Sequence, residues 1–409
     1  MLCSGVAMQM VAVAVGWQVY SIHGSAFDLG LIGLAEFVPV PLLALPAGQL
    51  ADRLPRVTLV VIWGFADAAG VALLLLVTIG GAHQLWQFIA LAGLTGTIAA
   101  LSAPAGRSLT PEIVPTELVA GALALRSVAS EVATIGGPAV GGLLFAIRPE
   151  AVYSLGIALL VISSLLMLRV AHPEAIARRI GESATRLDSL LGGIRLIRST
   201  PIILGAITLD LFAVLFGGSV ALLPLFAKSV LHTGPFGLGV LRSAVAVGAL
   251  VAGIRLARRP LGGRAGRTLL IVVATFGASM IVFGLSHWFI VSAVALAVSG
   301  FADMYSMNIR QTTVALATPN PLRGRVNAAE NVFIGASNEL GAFESGSAAA
   351  LLGAVPAVVI GGVVTILLAA VWPRLFPDLV RVDRMEDVTA GDAREREALV
   401  SVPGTDTST

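Results

Sequence analysis

Residues Pro115–Gly142 read PTELVAGALALRSVASEVATIGGPAVGG. The stretch is apolar enough for a bilayer, yet Arg126 and Glu131 stand in its interior and it closes on Gly-Gly-Pro and Gly-Gly. The layout recurs. VPTELVAGALALRS (Val114–Ser127) aligns without gaps on TPNPLRGRVNAAEN (Thr318–Asn331), so Pro115 matches Pro319, Leu118 matches Leu322 and Arg126 falls opposite Glu330. A second echo sets Leu29-Gly30 against Leu238-Gly239. Two halves of about 200 residues, each with an ionisable side chain at the same place in an apolar helix, are the build of a duplicated membrane transporter.

Composition agrees. Apolar residues make up 56% of the 409 and charged residues 12%, with a mean hydropathy of +0.92. A water-soluble chain of this length needs far more charge to cover its surface, so most of this surface faces lipid. A net charge of +2, with no basic patch interleaved with aromatics, excludes a nucleic-acid partner. Cys3 is the single cysteine and the five histidines are dispersed, so neither a disulfide nor a metal site is expected. No phosphate-binding glycine loop with lysine is present, and no cofactor is expected.

A spanning helix needs roughly 20 apolar residues. Such runs fall at Leu2–Ile22, Leu29–Leu50, Val57–Ile79, Leu85–Leu101, Val119–Phe145 and Ala151–Val170. Six more fall at Ile202–Val230, Leu238–Leu256, Leu269–Ser286, Phe289–Ala317, Val326–Leu352 and Val355–Leu375. The expected fold is therefore all-α: twelve transmembrane helices in two pseudo-symmetric six-helix bundles, 1–170 and 201–376. A linker, 171–200, joins them, and its LDSLLGGIRLIRS segment has the spacing of a helix lying on the membrane surface. Residues 377–409 are charged, then Ser/Thr-rich, and read as a disordered cytoplasmic tail. Leu2–Ile22 lacks a positive leader and is long for a signal peptide, so it reads as a true first span. Whether the natural start lies further upstream is left open.

Arginine placement sets orientation. Of the 26 basic residues, only Arg148 and Lys228 fall on one side of the membrane, and only Arg126, Arg242 and Arg310 fall inside spans. Positive segments stay in the cytoplasm, so both termini are expected there, in a bacterial cytoplasmic (inner) membrane.

Charges inside spans are expensive and belong on a cavity or a partner. They are Glu36, Asp67, Arg126, Glu131, Asp210, Arg242, Asp303, Arg310, Glu330, Glu339 and Glu344. In span 5, Arg126, Ser130 and Thr134 form one polar stripe. In span 10, Asp303 and Arg310 share a face. In span 11, Asn331, Asn338 and Ser345 recur every seven residues beside Glu330, Ser337 and Glu344, a polar face that lipid would not tolerate. We expect a central water-filled cavity carrying Arg126, Glu330, Glu131, Glu36, Asp303, Arg310, Asn331 and Asn338. Arg126 and Glu330, as pseudo-symmetric mates, are expected to pair across the halves, either as alternating partners or as a static bridge. Buried carboxylates are the groups able to take up and release a coupled proton; Glu36, Glu131, Glu330 and Asp303 are the candidates.

Two short motifs add a resemblance. Gly48-Gln-Leu-Ala-Asp52-Arg53-Leu-Pro-Arg56 resembles motif A of the major facilitator superfamily, with Pro55 where the family usually has glycine. Ala133-Thr-Ile-Gly136-Gly137-Pro138-Ala-Val-Gly141-Gly142 resembles its motif C, with Ala133 in place of the first glycine. WQVYSIHGSAFDLGLIGL and NPLRGRVNAAENVFIGASNELGAFESG extend the likeness to the enterobactin-exporter-like branch. The resemblance implies a cytoplasmic latch built on Gly48, Asp52, Arg53 and Arg56, and a proton-coupled exporter of a siderophore-like or hydrophobic small molecule, working as a monomer by alternating access. The arginine usual in span 4 of such antiporters is missing from LAGLTGTIAALSAP (Leu91–Pro104). The alternatives are a uniporter or importer of a small polar solute and, from another class, a membrane-embedded enzyme or sensor. The latter would need a nucleophile and base at matched spacing, and none stands out.

Overall fold

The computed structural model describes residues 1–81, 84–170, 194–218, 220–259, 263–318 and 322–381, with no strand among them. The first half runs α1 (Leu2–His23), α2 (Ala26–Phe37), α3 (Pro39–Arg53), α4 (Arg56–Ile79), α5 (Leu85–Ile113), α6 (Val119–Ile147) and α7 (Pro149–Leu168). The second runs α8 (Pro201–Gly217), α9 (Gly234–Arg258), α10 (Ala265–Leu285), α11 (Phe289–Ala317), α12 (Arg323–Leu352) and α13 (Ala354–Leu375).

Among the described residues, 11 helical stretches are long and apolar enough to cross a membrane. The twelfth expected span, α12, has the length at 30 residues. Its polar face, with Glu330, Asn338, Glu339 and Glu344, dilutes its apolar character and keeps it out of that set.

Two spans are interrupted. Proline has no N–H to offer the preceding turn, so α2 ends at Phe37 and α3 restarts with Pro39 at its first position. Span 7, apolar through to Val230, stops as a helix at Gly217. It continues as a 3₁₀ turn (Val220–Leu222), an α turn (Leu223–Leu225) and a π turn (Phe226–Val230). Gly217, Gly218 and Pro224 weaken the regular ladder there.

Of the expected linker, 171–193 lies outside the described residues; 194–199 is helical, and Ile197 packs into the core of the second half. The expected tail begins with an ordered turn, Pro377–Arg381, whose Leu379 is buried; 382–409 lies outside the described residues.

Two helix pairs carry the packing between the halves: α2 on α12, and α6 on α9. Glycines set these approaches. A methyl group on Gly142 would lie 2.5 Å from the Pro235 carbonyl oxygen, and one on Gly346 2.8 Å from that of Ala26. Ser243 donates to the Ile135 carbonyl across the α6–α9 seam (2.6 Å). Tyr20 and Ser229 share a hydroxyl–hydroxyl bond (2.9 Å), and Lys228 donates to the Ser21 carbonyl (3.1 Å). These contacts gather at the end away from the arginine-bearing loops. Toward the arginine-rich end the described parts of the halves diverge.

Within the first half, Gln18 ties three helices together. Its amide donates to Thr78 Oγ1 of α4 (3.0 Å), and its Oε1 accepts from the Tyr153 hydroxyl of α7 (2.6 Å). Hydrocarbon offers no water as a substitute partner. Tyr153→Phe is expected to cost about 1–3 kcal/mol, read as a lower thermal unfolding midpoint in detergent; an unchanged midpoint would mean that the Thr78 hydroxyl alone satisfies Gln18.

Candidate functional site

A cavity of about 750 Å³ lies between the halves, within the size range of small-molecule sites. Most of its wall is apolar, with Val11 and Val15 of α1, Phe88 of α5, and Phe276 and Met280 of α10. Polar groups enter at few points: Gln9, Glu36, Thr95, Arg242, Asp303, Asn338 and Glu339.

Three of these charges meet where the halves touch. Glu339 reaches from α12 toward α2, where its Oε2 would lie 3.3 Å from a methyl group built on Gly33. Glu36 follows Gly33 on α2, and Arg242 enters from α9, near enough for its charge to act on both carboxylates. Asp303, on α11, faces the cavity separately.

Behind the cavity wall, Arg310 of α11 bridges two other helices. Its Nη1 lies 2.9 Å from Asp210 Oδ2 on α8 and 3.6 Å from Glu330 Oε1 on α12. The three residues are 3%, 8% and 7% exposed. Arg310 and Glu330, expected on the cavity surface, thus sit inside the second half, away from the lining. A guanidinium presents several donors in one plane and can serve two carboxylates at once.

The expected Arg126–Glu330 pair is corrected here. Arg126 donates to the Gly106 carbonyl (3.0 Å) and the Thr110 hydroxyl (3.3 Å), both on α5, while Glu330 is held by Arg310. The divergence of the halves at the arginine-rich end keeps the starts of α6 and α12 apart. Arg126, Ser130 and Thr134 face a separate cavity, of about 440 Å³, inside the first half. Glu131 lines neither cavity.

The polar face of α12 divides. Asn338 reaches the central cavity. Ser345 donates to the Gly218 carbonyl at the break after α8 (3.0 Å), and Ser337 is buried. The side chain of Asn331 lies outside the described residues. In the latch motif, Gly48 is buried on α3 and Arg56 begins α4; the side chains of Asp52 and Arg53 lie outside the described residues. On α6, Gly137 abuts Gln9 and Gly141 abuts Met10, both of α1, while Gly142 and the Pro138 carbonyl meet α9; Gly136 faces open space. The motif therefore clasps α6 between a helix of its own half and one of the other.

Sequence reasoning noted Arg242 and Glu339 as charges within spans but did not choose them. Arg242 sits close to the end of its span, where an arginine reads as an interfacial residue. Glu339 could have been raised by its place directly after Asn338 on the polar face.

A family profile described as "Transmembrane secretion effector" matches residues 1–401. The enterobactin exporter EntS of Citrobacter koseri is 27% identical over 381 residues, covering 89% of this chain and 88% of that protein. Among solved structures, the nucleoside transporter NupG superposes with a TM-score of 0.71 at 14% identity, covering 92% of this chain and 98% of that one. A bacterial homologue of the iron transporter ferroportin, in an inward-facing state, gives 0.69 at 16% identity, covering 93% and 96%. At such identities the structural likeness is one of fold alone.

Proposed function

Because the chain belongs to the transmembrane secretion effector family of major facilitator transporters, we propose that it exports a siderophore-like or hydrophobic small molecule across the bacterial cytoplasmic membrane in exchange for protons. The observation that carries this reading is the cavity itself. It lies between the halves, its wall is largely apolar, and its carboxylates Glu36, Asp303 and Glu339 all face it. The enterobactin exporter among the relatives supports a siderophore-like cargo.

With the arginine-rich end in the cytoplasm, both termini are cytoplasmic and the structure stands in an inward-facing state. Rocking the halves about the α2–α12 and α6–α9 seams would expose the same cavity to the other side. The carboxylates on the wall are placed to exchange a proton with whichever side is open, and one copy of the chain contains every part of this device. The importer of a small polar solute is the weaker reading, because Val11, Phe88, Phe276 and Met280 give such a solute few partners.

Everted membrane vesicles, energised by respiration and loaded with a trapped-proton fluorescence probe, test the reading. Addition of a catecholate siderophore or a hydrophobic drug is expected to release lumenal protons. Glu36→Gln/Glu339→Gln, inserted normally, is expected to abolish the release. A wild type silent to every compound would remove support for export and leave a facilitator.

A further inference from the structure

The cavity inside the first half is walled only by α1, α4, α5, α6 and α7, so it belongs to one half and not to the seam. Two groups of α4 face it without partners. Trp63 and Asp67 are four residues apart and share a helix face. The indole N–H of Trp63 is buried with no acceptor. Asp67, midway along the 24-residue α4, has neither a hydrogen bond nor an ion pair among the described residues; burial is the influence that acts on it.

Buried polar groups find partners in protein or in water. A charged carboxylate at mid-membrane costs about 2.5–3.5 kcal/mol on insertion scales and faces a partner or a water-filled space. The remaining wall suits water. The hydroxyls of Ser4, Ser102, Thr134 and Ser164 all donate to carbonyls of their own helices, which leaves their lone pairs free to accept from the cavity. Of the elements packed around Asp67, α6 brings one charge, Arg126, and α1 brings the amino group of Met1; α5 and α7 present hydroxyl and apolar groups. Gln9 lines both this cavity and the central one.

We propose that this cavity is a hydrated proton-binding site with Asp67 as the acceptor, set apart from the cavity that takes the transported molecule. The carboxylate takes one proton from water and becomes the neutral acid; no other group changes. The cavity borders Met1 and Arg126, so the proton exchanges with the arginine-rich side in the state described. The lever to the other half is α1: it carries Gln9 into both cavities and packs Gly16 against Pro224 of the second half. What the bound proton drives rests on the transporter reading, whereas its binding does not.

The test uses the full chain in lipid nanodiscs with no transport substrate, titrated with acid. The emission of Trp63, with the other tryptophans replaced by Phe, and the infrared band of a protonated carboxyl are followed together. Both are expected to change with pH. Asp67→Asn is expected to lose the Trp63 response and part of the infrared band. Asp67→Glu is expected to keep a response with a displaced midpoint, and Glu36→Gln and Glu339→Gln to leave Trp63 as in wild type. A Trp63 response that persists in Asp67→Asn overturns the proposal. Should that variant fail to assemble, a flat Trp63 titration in the wild-type background overturns it equally. A silent vesicle assay with the Trp63 response intact would sink the export reading and leave this site standing; the reverse would sink this site alone.

Discussion

Replacing Arg310 by methionine is expected to leave little folded protein. Its guanidinium is the cation between Asp210 at 2.9 Å and Glu330 at 3.6 Å, and all three are buried. Methionine fills a similar volume but leaves two carboxylates, on α8 and α12, facing each other away from water. Breaking a buried ion pair by removing one partner costs about 3–5 kcal/mol, a large share of a typical folding free energy of about 5–15 kcal/mol. The effect is read as a lost or strongly lowered thermal transition in detergent and reduced yield in the membrane. Asp210→Asn and Glu330→Gln added to Arg310→Met are expected to restore most of the stability, since removing all the charges removes the penalty. That triple variant also separates two roles for Glu330. Restored stability together with restored transport would make the cluster a static brace; restored stability without transport would give Glu330 a part in the cycle. An Arg310→Met variant as stable as wild type would mean that water reaches the cluster.

The architecture was legible because membrane insertion leaves a coarse, periodic record. Apolar runs gave the helices, and the arginines ordered their ends. The breaks at Val38 and Gly217 were unevenly visible. Three prolines marked the first, but the second lies in an unbroken apolar run, where hydropathy does not distinguish a regular helix from mixed 3₁₀ and π turns that the other helices satisfy.

The site was legible in kind and less so in detail. In-span charges announced a polar interior, and Glu36, Asp303 and Asn338 do face the cavity between the halves. Pairing was harder, because pseudo-symmetry relates positions rather than contacts. It set Arg126 opposite Glu330, yet each finds nearer partners within its own half once the arginine-rich end is open. Which of two carboxylates an arginine serves depends on helix rotation and tilt, and spacing along one chain does not carry that information. Asp67 was visible as a charge, but its solitude is a property of five helices together.

Gly142→Val and Gly346→Val, combined, are expected to drive the protein out of the state described. Each added Cβ would meet backbone: the Pro235 carbonyl at 2.5 Å in one seam, and the Ala26 carbonyl at 2.8 Å in the other. A backbone oxygen inside a helix cannot swing aside as a side-chain tip can, so the halves must separate there. Overpacking costs about 1–3 kcal/mol per site, and a shift of about 1.4 kcal/mol changes a two-state ratio tenfold. The state closed at this end should therefore fall at least tenfold in population, and turnover should fall with it, because the cycle needs both states. A cysteine at Asn338, with Cys3 replaced by serine, reads the outcome against a membrane-impermeant maleimide. In the otherwise unaltered chain it should label from the arginine-rich side; in the double variant that labelling should decline and labelling from the opposite side should rise. Gly136→Val supplies the control, since open space surrounds Gly136 although it belongs to the same motif, and it should leave accessibility as in the parent chain. If Gly136→Val shifted accessibility as strongly as the seam variants, the glycines would be acting through the bending of α6. If neither shifted it in protein that inserts normally, the two seams would not be the gate.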